Sequence, residues 1–434
     1  MKIKFYTNAG LEIITDKARI LCDPWFVPGA FDGSWWQWPP LVTKPEDLTE
    51  YTHIYISHIH SDHCDPKTLI RLKNKDAPVI ILKGQEEFLK KRLASCGFLN
   101  IIELGDRETK EIASGVYITM YSAFTPSAFI EDAEVPNVID SSIVVSDGKS
   151  VVFNANDNIP TRSACEKILK AHKEITIALL PYSGVGPFPS SYENLTLEEK
   201  KIASEEKKKK YLDRFIKNVQ VLKPKMTIPC AGQMILGGKM FYKNEILGIP
   251  KVQDAKSLLE SEKYPLTLLG EGDVFDADTF KVTKTITHKE PTETQVNTIK
   301  KSSYWWEDTF KIPKEEQIEL LPLLNSAYAR MKSYQNKHGF KKDWLMAITV
   351  LESADFTYTF SMKGDEAVKK IKTLDLFSSD KKFLQVKIPY NYLLSILSRH
   401  CHWNNAYHGC QVEWYRRPDE YLPEIQMLLS YFHL

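Results

Sequence analysis

The sequence predicts an α/β protein: a layered sandwich of sheets covered by helices, followed by a smaller α+β domain. Three observations predict it. Strand-like and helix-like segments alternate in blocks from residue 1 to about 285, as layered folds require. A polar stretch rich in Thr, Lys and Glu, His288–Lys301, then loses the periodicity. Beyond it, apolar patterns start afresh. The expected domains are residues 1–287 and 302–434, and a chain of 434 residues is long enough for two buried cores.

Each element has its own signal. Lys2–Thr7, Glu12–Ile14 and Ala18–Cys22 are rich in β-branched residues and read as an opening antiparallel set. Thr52–Ser57 is a short apolar strand, and Pro66 opens a helix over Pro66–Lys73. Val79–Leu82 and Ile101–Leu104 read as buried strands either side of the helix-patterned Gln85–Ala94. Val116–Tyr121, Ser142–Ser146 and Val151–Asn154 follow as strands, the last two joined by the Asp147-Gly148 turn signal. A helix at Ser163–Ala171, a strand at Ile175–Leu180, a charged amphipathic helix at Leu197–Lys217 and a strand at Met226–Pro229 complete the first domain. In the second, Glu315–Asn336 and Tyr390–Arg399 read as helices, and Trp344–Leu351 and Phe356–Phe360 as strands.

Composition excludes several function classes. Lys+Arg 57 against Asp+Glu 56 gives no field that would favour nucleic acid. The run Lys207–Lys210 reads as a solvated helix face. The N-terminal MKIKFYTNAGLEII alternates apolar and polar residues and lacks the apolar run of a signal peptide. No stretch is long enough for a membrane span. Seven scattered cysteines without a CxxC pair argue against a disulfide framework, and a reducing, cytoplasmic setting is expected.

The chemistry concentrates in Ser57-His58-Ile59-His60-Ser61-Asp62-His63-Cys64-Asp65. The segment leaves a strand, and alternate residues of an extended chain share a face, so His58 and His60 can point at one ion. Asp62 and His63, one step on, can turn toward a second. Imidazoles and carboxylates suit zinc or iron, and two close ions lower the pKa of a shared water enough to make it a nucleophile.

This stretch resembles the HxHxDH hallmark of the metallo-β-lactamase superfamily, over about residues 1–285. The resemblance implies an αββα sandwich and a dinuclear metal site. Leu21-Cys22-Asp23-Pro24-Trp25 looks like the superfamily's early aspartate motif, which implies that Asp23 supports the metal loop without ligating; Asp65 is assigned a similar supporting role. Asn154-Ala155-Asn156-Asp157-Asn158 looks like the later motif whose aspartate bridges the two ions. Asp62 and Asp157 are thereby the expected catalytic carboxylates.

Two further histidines of the superfamily's hydrolytic members are missing: none lies between His63 and His172, and Ile228-Pro229-Cys230-Ala231-Gly232-Gln233 has none. Glu131, Asp132 and Glu134 lie upstream of Asp157, and some superfamily members replace a histidine by glutamate and use two irons. Glu131 is therefore the expected remaining ligand, and a carboxylate-rich site favours iron over zinc. Asn154-Ala155-Asn156-Asp157, Pro181-Tyr182-Ser183-Gly184-Val185-Gly186-Pro187-Phe188-Pro189 and Pro229-Cys230-Ala231-Gly232 resemble motifs of the CMP-N-acetylneuraminate hydroxylase family. That family usually carries a Rieske domain with CxH and CxxH pairs, which are absent here, so electrons would come from a separate protein or small reductant.

Other features admit two readings. Trp25 and Trp36, with Trp35, Trp38, Phe26 and Phe31, crowd one loop and would form either an apolar wall over the metal site or the packing of an irregular loop. Tyr182 and Ser183, in a Gly- and Pro-rich segment after a strand, would line the same mouth. The cluster His400-Cys401-His402-Trp403, His408 and Cys410 suggests either a second metal site or, with no fourth acid or repeated spacing, the favoured packing and capping; Arg416-Arg417-Pro418 reads as exposed arginines that could contact an anion, and Val386–Tyr415 faintly resembles a sterol-carrier-like domain. Three functions remain open: a diiron, oxygen-dependent hydroxylase or related oxygenase of a small polar metabolite, sugar- or nucleotide-linked ones included; a dizinc or dimanganese hydrolase of a phosphoester, lactone or amide; and a non-catalytic metal-binding scaffold.

Overall fold

The computed structural model describes residues 1–84, 87–124, 139–286, 290–339, 341–364 and 366–434. Its first part is the expected αββα sandwich. One sheet runs in the order Lys281–Thr283, Val274–Asp276, Lys2–Thr7, Gly10–Ile14, Arg19–Cys22, His53–Tyr55, Val79–Leu82, Ile101–Leu104. The other runs Met226–Cys230, Ile177–Pro181, Val151–Asn154, Ser141–Ser146, Val116–Ser122, Thr109–Ala113.

Alternation along the strands builds the layers. Ile3, Leu11, Ile13, Ile20 and Ile80 of the first sheet face Ile118, Ile143, Val145, Val152 and Leu179 of the second, all buried. The opposite parity, Leu21, Ile54, Val79 and Ile81, packs under Leu69, Leu89 and Leu93 of the helices Pro66–Arg71 and Glu87–Ser95. On the far side Phe153, Ala178 and Leu180 pack beneath Cys165, Ile168, Phe215 and Val219 of Arg162–His172 and Leu197–Leu222. A residue shifted by one position would exchange core for helix layer, which is why register is fixed here.

The second domain has a sheet ordered Lys369–Lys372, Phe356–Ser361, Leu345–Val350, Phe383–Ile388, Glu413–Arg417, with the helix Leu320–His338 sharing its core. Several of these strands escape sequence reading because their apolar runs are short. The stretch expected to lack periodicity contains the helix Glu293–Lys300, whose capping box joins Thr292 to Gln295. The run Lys207–Lys210 is only partly solvated: the Lys207 ammonium donates to the carbonyls of Phe188 (2.8 Å), Leu247 (2.9 Å) and Gly186 (3.4 Å). Burial pushes its pKa down to about 8. Among the described residues no helix is long and apolar enough to cross a membrane, and all seven cysteines are buried free thiols.

The two domains are tied beside one loop of the sandwich. Gln411 donates to the Phe31 carbonyl (2.9 Å) and Ser34 Oγ (2.6 Å) while accepting from Trp306 Nε1 (2.7 Å). Asp32 accepts from Asn405 Nδ2 (2.9 Å) and the Tyr392 hydroxyl (3.3 Å), and Trp35 Nε1 donates to the His408 carbonyl (2.9 Å).

Candidate metal centre

The site stands where four strands end. Arg19–Cys22 and His53–Tyr55 are parallel neighbours with Cys22 opposite Tyr55, so Asp23 and Ser57 leave the same sheet edge. Across the sandwich, Val151–Asn154 and Met226–Cys230 end at Asp157 and Ala231. At these ends Asn8 (φ 47°), Asp23 (φ 40°), Asn156 (φ 52°) and Ala231 (φ 55°) adopt left-handed backbone. Asn and Asp tolerate that conformation; Ala does so at a cost, and such strain concentrates at functional sites. The Ala231 N–H donates to the Asn8 carbonyl (2.9 Å), joining the two sheets there.

Asp23 organises the loop. Its carboxylate accepts from the Ser57 N–H (2.8 Å) and Ser57 hydroxyl (2.8 Å), and Oδ2 lies 3.0 Å from His63 Nδ1. Held there, His63 keeps a proton on Nδ1 and turns Nε2 toward Asp157 Oδ2 (3.2 Å) and Asp62 Oδ2 (3.5 Å). Asp62 Oδ2 accepts from Asn8 Nδ2 (3.3 Å). His58 Nδ1 meets Ser57 Oγ at 2.9 Å and lies 3.9 Å from Asp140, while its Nε2 faces His60 Nδ1 at 2.8 Å. His60 Nε2 in turn lies 2.6 Å from the side-chain amide of Asn404, in the second domain.

Electrostatics follows from this crowding. Burial holds the His58 and His60 pKa values well below the ordinary imidazole value, so both rings are neutral donors at physiological pH. Burial also opposes a charge on His63, but Asp157, Asp62 and Asp23 overcome it and raise its pKa. Burial lifts Asp62 to about 6. Burial acts the same way on Asp157, yet His63 and then His60 hold its pKa below the usual carboxylate value.

The donor set fits a metal. Nitrogens of His58 and His63 and an oxygen of Asp157 all lie within 4.8 Å of one another. His63 Nε2 and Asp62 Oδ1 are buried without a hydrogen-bond partner, which is costly unless another group satisfies them. His58 Nε2 with His60 Nδ1 would hold one ion, and Asp62 with His63 Nε2 a second, with Asp157 between. The Asp157 side chain is 38 % exposed, so the centre opens to solvent on that side.

The structure therefore gathers His58, His60, Asp62, His63 and Asp157, with Asp23 behind them. Glu131, Asp132 and Glu134 lie outside the described residues. Asp65 does not support a ligand: its carboxylate caps the helix Pro66–Arg71, accepting from Thr68 N–H (3.0 Å), Thr68 Oγ (2.7 Å) and Lys67 N–H (3.3 Å). Trp25 is fully buried with Phe31, Trp35 and Leu236, so it packs the irregular loop and forms no wall facing a substrate. Trp36 belongs to a strand paired with Met234–Leu236 and packs on Gly237. Tyr182 and Ser183 are buried too; they close over Gly232, where a Cβ would lie 2.5 Å from Ser183 Oγ, and Ser183 donates to the Ala231 carbonyl (2.6 Å). Arg416 stacks over Phe188 and Tyr192, and Arg417 donates to the Phe377 carbonyl (3.0 Å), so neither is an exposed arginine awaiting an anion.

Sequence reasoning missed Asp140, Asn8, Asn404 and His408. Asp140 was within reach of it, as another acid in the same interval as Glu131. Asn404 had no signal, and His408 was read as packing and capping, because their role depends on how two domains dock. His408 is no mere capping residue: its ring lies 5.5 Å from that of His60 and 6.0 Å from Phe31, centroid to centroid.

The sandwich and this cluster together match the arrangement expected of a metallo-β-lactamase-type site. No family model matches the sequence. A protein of Mycolicibacterium smegmatis named as a Rieske 2Fe-2S iron–sulfur protein is 30% identical over 235 residues, covering 54% of this chain and 43% of that protein. The cytidine monophosphate-N-acetylneuraminic acid hydroxylase of Danio rerio is 30% identical over 112 residues, 24% of this chain and 18% of that protein. The chain thus spans less than half the length of the curated relatives it matches. Among solved structures, the isothiocyanate hydrolase from Delia radicum gut bacteria is 17% identical over 64% of this chain and 99% of that chain, with a TM-score of 0.46. That overlap is too slight to carry a chemical argument.

Proposed function

We propose that this protein is a dinuclear-metal oxygenase, a diiron hydroxylase acting on a small polar metabolite. The observation that carries the reading is the sequence similarity to a sugar-nucleotide hydroxylase and to proteins named for Rieske clusters, over a chain with a converging His/Asp site. Two irons, when bound, supply oxygen activation that side chains alone cannot. The chain's own residues do the positioning. Asp23 retains the proton on His63 Nδ1, Ser57 and Asp140 orient His58, and the exposed flank of Asp157 is the side from which substrate approaches. Beside His60, Phe31 of the sandwich loop and His408 of the second domain pack their rings against one another.

One observation favours a hydrolase instead. His408 brings a fourth imidazole to the cluster, and imidazole-rich sites suit zinc. Elemental analysis of protein loaded with iron and zinc together, with Mössbauer spectra of the iron form, separates the two. About two irons per chain in a coupled, oxygen-reactive state supports the oxygenase. Two zincs with traces of iron overturns it in favour of hydrolysis.

A further inference from the structure

The helix Trp403–His408 of the second domain lies against the segment Ala30–Gly33, beside the metal loop. Asn404 and His408 are one turn apart and share a helix face. That face meets the site. Asn404 places its amide 2.6 Å from His60 Nε2, and His408 stands next along, beside the same ring. Gly409 permits the approach, since a Cβ there would lie 2.7 Å from Ser34 Oγ.

The state of the His408 ring is unusual. Its backbone is fixed by Trp35, and the ring is hydrogen-bonded to the backbone of Val185. Its Nδ1 is buried with no partner. A ring that gives its N–H to a carbonyl presents the other nitrogen as a bare lone pair, which is the ligating form of imidazole. Two other buried polar atoms without a hydrogen-bond partner, His63 Nε2 and Asp62 Oδ1, belong to the same centre.

We infer that His408 is a metal ligand supplied by the second domain, replacing a histidine absent from the sandwich, and that Asn404 is a positioning residue for His60. A half-turn of the Asn404 amide brings its oxygen to His60 Nε2, where it accepts the N–H. His60 Nδ1, facing His58 Nε2, is then the lone pair offered to metal. This rests on the metal-centre reading but on neither the identity of the metal nor the reaction.

The test compares full-length wild type, H408A, H408Q, N404A and N404D after metal removal and reloading with cobalt(II) or zinc. Metal per chain, affinity from chelator competition, the cobalt d–d spectrum and the imidazole count from X-ray absorption are read, with melting curves as a fold control. We expect both His408 variants to lose one imidazole from the count. Their affinity at one site should fall by more than the 10–100-fold that losing an orienting partner costs. N404A should weaken binding roughly tenfold at unchanged imidazole count, and N404D, which can still accept the His60 N–H, should restore it. If H408A melts anomalously, H408Q, of similar bulk, decides. His408 variants with wild-type stoichiometry, affinity and spectrum overturn the inference. Wild type that binds neither metal overturns the metal-centre reading itself.

Discussion

Two imidazoles of one loop are anchored from opposite directions. His63 is held by Asp23, 40 positions away in the same sheet edge; His60 is held by Asn404, 344 positions away in another domain. The first anchor is complete once the sandwich folds. The second exists only when the domains dock. The difference teaches that this centre has a half built into a rigid strand edge and a half that depends on an interface.

The comparison can be broken in stages. Removing His58 abolishes the largest share, since its Nε2 serves the site and its Nδ1 binds Ser57: H58A is expected to lose at least one ion per chain, read by mass spectrometry, with any turnover. Next, D23N leaves the sandwich half without its charged anchor, and metal affinity should fall about 10–100-fold in chelator competition. An unchanged affinity would show that the strand edge is not the stronger anchor. Disrupting the docked half at a distance should act more weakly on metal than on stability. Q411A leaves Trp306 Nε1 and Ser34 without their shared partner, costing about 1–3 kcal/mol, measured by denaturant unfolding.

pH separates the halves further. Burial lowers the folded pKa of His58, His60 and His408, the last to about 4. Between about 4 and the ordinary value of 6.5 the unfolded chain therefore binds more protons, and metal-free stability falls as pH falls through that window. His63 works in reverse: its raised folded pKa adds stability below 6.5 that is lost as pH rises through the folded value. Melting curves of the metal-free H408Q should show a shallower acid decline than wild type. The smallest effect is A231G, which relieves the left-handed alanine and should stabilise by about 1 kcal/mol without touching metal content.

The legible part of the molecule was the local part. His58, His60, Asp62 and His63 share six consecutive residues, so pattern located them, whereas Asp23 and Asp157 each follow a strand and were singled out through the resemblance to superfamily motifs. Alternating strand and helix blocks suggested layers, and their αββα order came from the resemblance. Asp65 misled because an acid beside a metal motif looks like support, whereas Thr68, three residues on, makes it a helix cap. Trp25 and Tyr182 were ambiguous because a buried aromatic and a substrate-facing one have the same sequence signature. Asn404 was invisible and His408 was read as packing, as no periodicity encodes which helix of one domain meets which loop of another.

The reach from Asn404 to His60 also sets an order of assembly. Chains emerge from the ribosome N-terminus first, and domains fold as they appear. The metal loop is therefore made, and its sheet edge formed, long before the helix that finishes it. Until that helix arrives, a nascent or truncated chain carries His60 without the contact to Asn404.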